Sequence, residues 1–134
     1  MNEYDVDMTP QAPLMLTLCL EEESILVSSA VLECLGHPRQ IQMLINDKKK
    51  MLLLRACTMD EKEAIIIPAY PMMQFEMSGY SLLKRIRRLT DWPDMQPRVI
   101  YGESVPQYQV VMFDLNTAQP AQLQIPQEPV GPLN

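Results

Sequence analysis

The chain is short of the residues that usually name a reaction. It has one histidine, His37, only four glycines and 6% aromatic residues in a length of 134. It contains no P-loop and no glycine fingerprint for dinucleotides, and it lacks the G-x-S-x-G elbow and the H-E-x-x-H zinc pair. No motif calls for a cofactor or a metal, so none is expected. The three cysteines, Cys19, Cys34 and Cys57, are odd in number and too far apart for a CxxC knuckle. Each has apolar sequence neighbours, which predicts three small buried hydrophobes in a reducing compartment. No run approaches the ~18 apolar residues of a membrane span. The opening stretch MNEYDVDMTPQAP is acidic where a secretory signal is basic. A cytoplasmic protein is expected.

Hydrophobic residues make up 47% of the chain, enough for a core, and 11 of them are methionine. Met adapts to irregular gaps, so such a core is less sharply specified than one of Ile, Leu and Phe. The formal charge is −6. An acidic surface repels DNA and anionic membranes alike, unless a local basic patch overrules the average.

Periodicity divides the chain into five parts. Residues 1–13 are polar and expected to be flexible. Residues 14–57 form a first unit: the apolar run LMLTLCL, an acidic turn at Glu21, Glu22 and Glu23, the strand Ile25, Leu26, Val27, and a short helix over 29–36. Ser28 or Ser29 is a candidate N-cap for that helix, Gly36 a left-handed stop and Pro38 a block to continuation. A hairpin follows, with 40–46 antiparallel to 51–56 around a lysine turn. Its return strand, Met51 to Leu54, is apolar on both faces, as in a strand covered on both sides.

A charged linker, 58–63, leads to the second unit, 64–115. Its parts are a strand at 64–67, a break at 68–71, an extended piece at 72–77, a helix over 79–92 capped by Ser78 or Ser81, and a hairpin pairing 98–102 with 108–114. Residues 116–134 are rich in Pro and Gln and are expected to be extended or disordered. The order strand, helix, strand, strand therefore occurs twice as a pattern, without matching residue identities.

Two groups are candidates for function. Cys34 and His37 are the raw material of a thiol nucleophile, but Gly36 breaks the helix between them and no orienting third group is evident. The dull reading, a histidine favoured by the helix C-terminus, is preferred. No enzyme is expected. The second group is basic: Lys84, Arg85, Arg87 and Arg88 sweep the face opposite Leu82, Ile86 and Leu89, with Arg98 nearby. These are candidate contacts for phosphate or for an acidic protein partner. The plainer alternative is an amphipathic helix turning its polar side outward. Lys48, Lys49 and Lys50 are ordinary turn residues.

With these elements laid out, the segment ILVSSAVLECLG and the hairpin IQMLINDKKKMLLLRAC resemble the AbrB/SpoVT/MazE swapped-hairpin domain of bacterial regulators and antitoxins. A doubled pattern is similar to the tandem arrangement of MraZ-type proteins. The chain also looks like short proteins of Gram-positive bacteria in which a Trp-ended helix precedes a strand-Gly-strand ending in Phe-Asp-Leu, here Trp92, Gly102 and Phe113, Asp114, Leu115. The resemblance implies an intertwined homodimer that inserts basic residues into DNA. The chain departs from the pattern at the usual DNA surface, with Glu23, Ser24, Ile25 and Ser28, Ser29 where the family has Gly-Arg and Pro. An acidic first turn there repels phosphate.

The expectation is an α+β fold of two β-α-β-β units sharing one core, swapped-hairpin-like, and a homodimer that covers the second face of the return strand. Two functions stand open: a nucleic-acid-binding regulator using the 84–88 stripe, or a non-catalytic module that binds a protein partner.

Overall fold

The computed structural model describes residues 12–57, 64–68 and 73–121. They form a sheet-rich α+β fold, with two helices and nine strands among the described residues. The strands are β1 (Met15–Cys19), β2 (Ser24–Ser28), β3 (Gln40–Asn46), β4 (Met51–Ala56), β5 (Ile65–Ile66), β6 (Gln74–Ser78), β7 (Arg98–Val105), β8 (Val110–Asp114) and β9 (Gln119–Pro120). Helix α1 (Ser29–Cys34) follows β2, and α2 (Tyr80–Leu89) follows β6. Spatially the strands run β6-β2-β1-β7-β8-β4-β3-β5, every neighbour antiparallel. The two end strands, β5 and β6, are successive in the chain. The result is a nearly closed, barrel-like sheet.

Alternation explains which residues fill it. In β1, Leu16 and Leu18 are fully buried, and opposite them on β2 so are Val27 and Ile25. Leu52 and Leu54 of β4 also point inward and meet Phe113 and Val111 of β8. Helix α1 has six residues, too few to persist alone, and is held by burying Ala30, Val31 and Leu32. Helix α2 buries Leu83 and Ile86 and half-buries Leu82 and Leu89. No helix of the described residues is long and apolar enough to cross a membrane.

The expected hairpins form, and their loops are alike. Each has four residues (20–23, 47–50 and 106–109), and each ends on a non-glycine residue in the left-handed region: Glu23, Lys50 and Gln109. In the second loop Asn46 Oδ1 accepts from the Lys49 N–H at 2.9 Å, a side-chain bond to the third residue on that helps the reversal start.

The helix ends differ in part from expectation. Gly36 does end α1, at φ 82°. Its N–H donates to Glu33 O at 3.0 Å and the His37 N–H to Leu32 O at 2.9 Å, a Schellman closure. Ser28 occupies the N-cap position, but its hydroxyl makes no capping bond. Its Oγ instead donates to Pro13 O and accepts from the Met15 N–H, tying the start of β1 to the end of β2. The N-cap of α2 is Gly79, not Ser78 or Ser81. That helix stops at Leu89, short of Trp92, with Thr90 already extended at φ −119° and ψ 158°. Thr90 also sends both its N–H and its hydroxyl to Ile86 O.

Two pairings differ more. Of the expected pairing of 98–102 with 108–114, only Gly102 opposite Phe113 forms: residues 98–101 of β7 pair with β1, and the hairpin with β8 is made by 102–105. The Pro/Gln tail is not wholly irregular either: 115–117 make a 3₁₀ turn and β9 pairs Pro120 with Arg98. A proline fits there because β9 is an edge strand. The expectations for 58–63, 69–72, the N-terminal 1–11 and the remaining tail, 122–134, lie outside the described residues.

β7 changes partner at Gly102. Its N–H donates to Leu14 O at 2.8 Å, while Phe113 of β8 stands opposite it and folds its fully buried ring over the glycine. A Cβ added at Gly102 would lie 2.5 Å from Phe113 Cε2. Gly102→Ala is therefore expected to destabilise by about 1–3 kcal/mol through overpacking. In urea unfolding, Phe113→Leu should recover part of that loss in the double variant. A Gly102→Ala protein as stable as the parent would contradict this packing.

Candidate nucleic-acid interface

The basic residues of α2 are placed by its apolar stripe. With Leu83 and Ile86 against the sheet, Lys84, Arg85, Arg87 and Arg88 are all exposed. Arg87 and Arg88 occupy the last turn, where a cation also gains from the helix dipole. Lys84 Nζ sits 5.5 Å from the ring centre of Tyr80, whose side chain is itself exposed. An aromatic ring thus lies among the charges.

One ion pair extends this face. Arg85 sends Nη2 at 2.8 Å and Nε at 3.1 Å to Asp47 Oδ1. Asp47 is the first residue of the β3–β4 loop, so Lys48, Lys49 and Lys50 are brought beside α2. Seven of the chain's 11 basic residues lie on these two elements. With side chains 44% and 53% exposed, the pair belongs to a class that contributes about 0.2–1 kcal/mol or less. Its effect is positional. It holds a loop from one half of the sequence against a helix from the other.

Arg98 is not part of this face. It starts β7, flanked by β1 on one edge and β9 on the other, and is 6% exposed. Its Nη2 pairs with Asp94 Oδ1 at 2.8 Å and its guanidinium stacks 5.2 Å from the Trp92 ring centre. Its Nε and the nearby Gln96 Oε1 are buried without a hydrogen bond among the described residues. Arg98 is occupied in holding the 91–97 connection to the sheet. The sequence hinted at this only through Trp92 and Asp94 upstream. The lysine loop's contribution, in turn, rests on a contact between residues 38 positions apart.

The cysteines divide. Cys19 and Cys57 are partly buried, but Cys34, at the end of α1, is exposed, contrary to the expectation of three buried thiols. Only three residues of α1, Ala30, Val31 and Leu32, face the core, which leaves Cys34 outside. Burial raises the Cys19 thiol above its ordinary range, against a lowering hydrogen bond with Ser24 and with smaller raising effects from Glu22 and Glu76. The neutral thiol is thus the form the fold favours. Among the described residues no three His, Cys, Asp or Glu side chains gather as metal ligands. Comparison with known proteins adds no neighbour: no protein family, curated sequence or solved structure matches the chain.

With Ellman's reagent at pH 8, Cys34 should react first and Cys19 far more slowly, since the reactive species is the thiolate. Cys34→Ser should remove the fast phase. Because Cys19 is raised in the fold, its deprotonation is a destabilising event confined to alkaline pH, above the ordinary thiol range. Equal rates for the three thiols in the folded protein would contradict this placement.

Proposed function

We propose that the protein is a non-enzymatic nucleic-acid-binding regulator that grips phosphates through the composite face of α2 and the β3–β4 loop. The observation that carries this reading is the Arg85–Asp47 contact, which joins two basic groups that the sequence keeps apart. A chain of net charge −6 that gathers seven of its 11 cations in one place has the field asymmetry expected of an anion-binding surface.

The swapped-hairpin resemblance is part of the same proposal. The order β2-α1-β3-β4 returns as β6-α2-β7-β8, and the corresponding strands pair antiparallel, β2 with β6 and β4 with β8. A two-fold axis relating the two runs would generate such pairings. In this reading one chain supplies both halves of an intertwined pair, as a tandem protein would. Glu21, Glu22 and Glu23 are exposed and Glu23 adjoins Gly79, so DNA meets α2 and the lysine loop rather than the family's usual strand end.

We further infer a homodimer. The outward residues of the central strands form an apolar row in register, Leu44 opposite Leu53 and Leu53 opposite Met112. Leu44 is 40% exposed. A second copy over this row would supply the cover expected for β4 and would present two basic faces. The same row supports the second reading, in which the protein docks a protein partner and binds no nucleic acid.

The test is fluorescence anisotropy of a labelled 30-bp duplex against salt. Six cations, Lys48, Lys49, Lys50, Lys84, Arg87 and Arg88, predict a log-log slope of about −5 per face, at about −0.9 for each contact. Affinity should fall about three orders of magnitude between 50 and 200 mM salt. Arg87→Glu with Arg88→Glu should weaken binding more than tenfold at 50 mM while leaving the fold intact, since both side chains are exposed. Sedimentation at high micromolar concentration should read a dimer. No binding of any long duplex at 50 mM salt would remove the nucleic-acid reading and leave the interaction module.

A further inference from the structure

The seam between β3 and β6 is where the barrel does not close among the described residues, and the registers show which main-chain groups face it. In antiparallel pairing, successive residues bond alternately to one neighbour and to the other. The Cys57 N–H donates to Gln40 O at 3.1 Å, so Gln42, Leu44 and Asn46 are the β3 residues bonded to β4. The N–H and C=O of Met43 and Ile45 then face the seam, beyond the end of β5, which pairs with β3 only at Gln40 and Ile41. On β6, the Gly79 N–H donates to Glu23 O at 2.9 Å, which assigns Phe75 and Met77 to the β2 ladder. Gln74, Glu76 and Ser78 therefore turn their main-chain groups to the seam from the other side.

Between these two open edges lies a cavity of about 590 Å³, lined by Met43, Ile45, Ile65, Met77 and Leu82, with Arg85 at its rim. The corresponding place across the barrel is filled. There β1 lies between β7 and β2, antiparallel to both, with Leu16 and Leu18 pointing inward. β3 and β6 run in the same direction, because six antiparallel steps separate them in the order of strands. A single strand antiparallel to both fits between them, as β1 does between its own neighbours.

We propose that the seam binds an extended segment of a partner protein, which adds as a strand antiparallel to β3 and β6 and sends alternate apolar side chains into the cavity. Open strand edges are templates for such pairing, and the main-chain bonds provide the affinity while the lining selects the side chains. Charge fixes the polarity of the segment. A strand antiparallel to β3 starts at the Ile45 end, beside Arg85 and the loop carrying Lys48, Lys49 and Lys50. The partner segment therefore has acidic residues immediately before its apolar run. This site is separate from the phosphate-binding reading and survives its failure.

The experiment uses the full chain and four fluorescent heptapeptides: acetyl-DEVTVTV-amide, its charge-swapped form beginning KK, and two forms of the acidic peptide N-methylated at alternate residues, one on each edge. The acidic peptide should bind, the KK peptide at least tenfold more weakly, and the N-methylated forms not at all. Glu76→Pro deletes one seam-facing N–H outside the β2 ladder and should weaken binding at least tenfold, whereas Glu76→Ala, which keeps that N–H, should not. Amide resonances of Met43, Ile45, Glu76 and Ser78 should shift on titration. Equal binding of the N-methylated peptides, or no binding of the acidic peptide at millimolar concentration, overturns the proposal. So do shifts confined to Ile100 and Gly102, the β7 residues bonded to β1, which would mean replacement of β1. A peptide signal that falls as protein concentration rises would place a second copy of the chain in the seam and likewise overturn it. Should Glu76→Pro not fold, the N-methylated peptides decide.

Discussion

Everything in this fold passes through one change of partner. β7 begins between β1 and β9 and ends beside β8, and the exchange happens at Gly102, which serves Leu14 on one ladder and faces Phe113 on the other. The pairing of Gly102 with Phe113 is a non-hydrogen-bonded one, the closer of the two antiparallel spacings, and only the missing side chain makes room for the ring. Without that exchange the β6-β2-β1 side and the β8-β4-β3 side would be two open sheets, each too small to bury its own apolar face. With it, Leu16, Leu18, Leu52, Leu54 and Phe113 share one interior.

The site inherits its geometry from this junction. α2 connects β6, at one edge of the seam, to β7, inside the sheet, and its position relative to the β3–β4 loop depends on how the two sides of the sheet are joined. The Arg85–Asp47 pair reports that join at the surface without supplying much energy to it. The same geometry leaves β5, two residues long, to fill a place that β1 fills with five on the other side. A basic face and the seam between β3 and β6 therefore both adjoin Arg85, one lined by charge and the other by methionine and isoleucine.

Local pattern made much of this legible. The apolar runs at 14–20 and 25–27 and the alternation in 40–46 identified strands whose Leu16, Leu18, Ile25 and Ile41 do face the core, and Gly36 ended its helix as its lack of a side chain suggests. What failed were the assignments that need to know a neighbour. Ser28 looks like a cap until Pro13 and Met15 claim its hydroxyl. Arg98 looks like one more exposed cation, yet strands on both edges bury it, and both come from distant sequence. The pair Gln119–Pro120 has the composition of a tail, but a proline on an edge costs a ladder nothing when its missing N–H faces outward. The basic face was half visible: helical spacing revealed the 84–88 stripe, whereas the lysine loop joined it only through a contact across the fold.

The central claim is that both sides of the sheet make one core through β7 and the β4–β8 pairing. Native-state amide hydrogen exchange measures this directly. The N–H groups of Leu52 and Leu54, bonded to β8, and those of Ile25 and Val27, bonded to β6, should exchange only by global unfolding, with one common free energy and one common denaturant dependence. Two distinct free energies, with the β1-β2-β6 amides opening while those of β4 and β8 stay protected, would show two separately stable sheets and contradict the shared core.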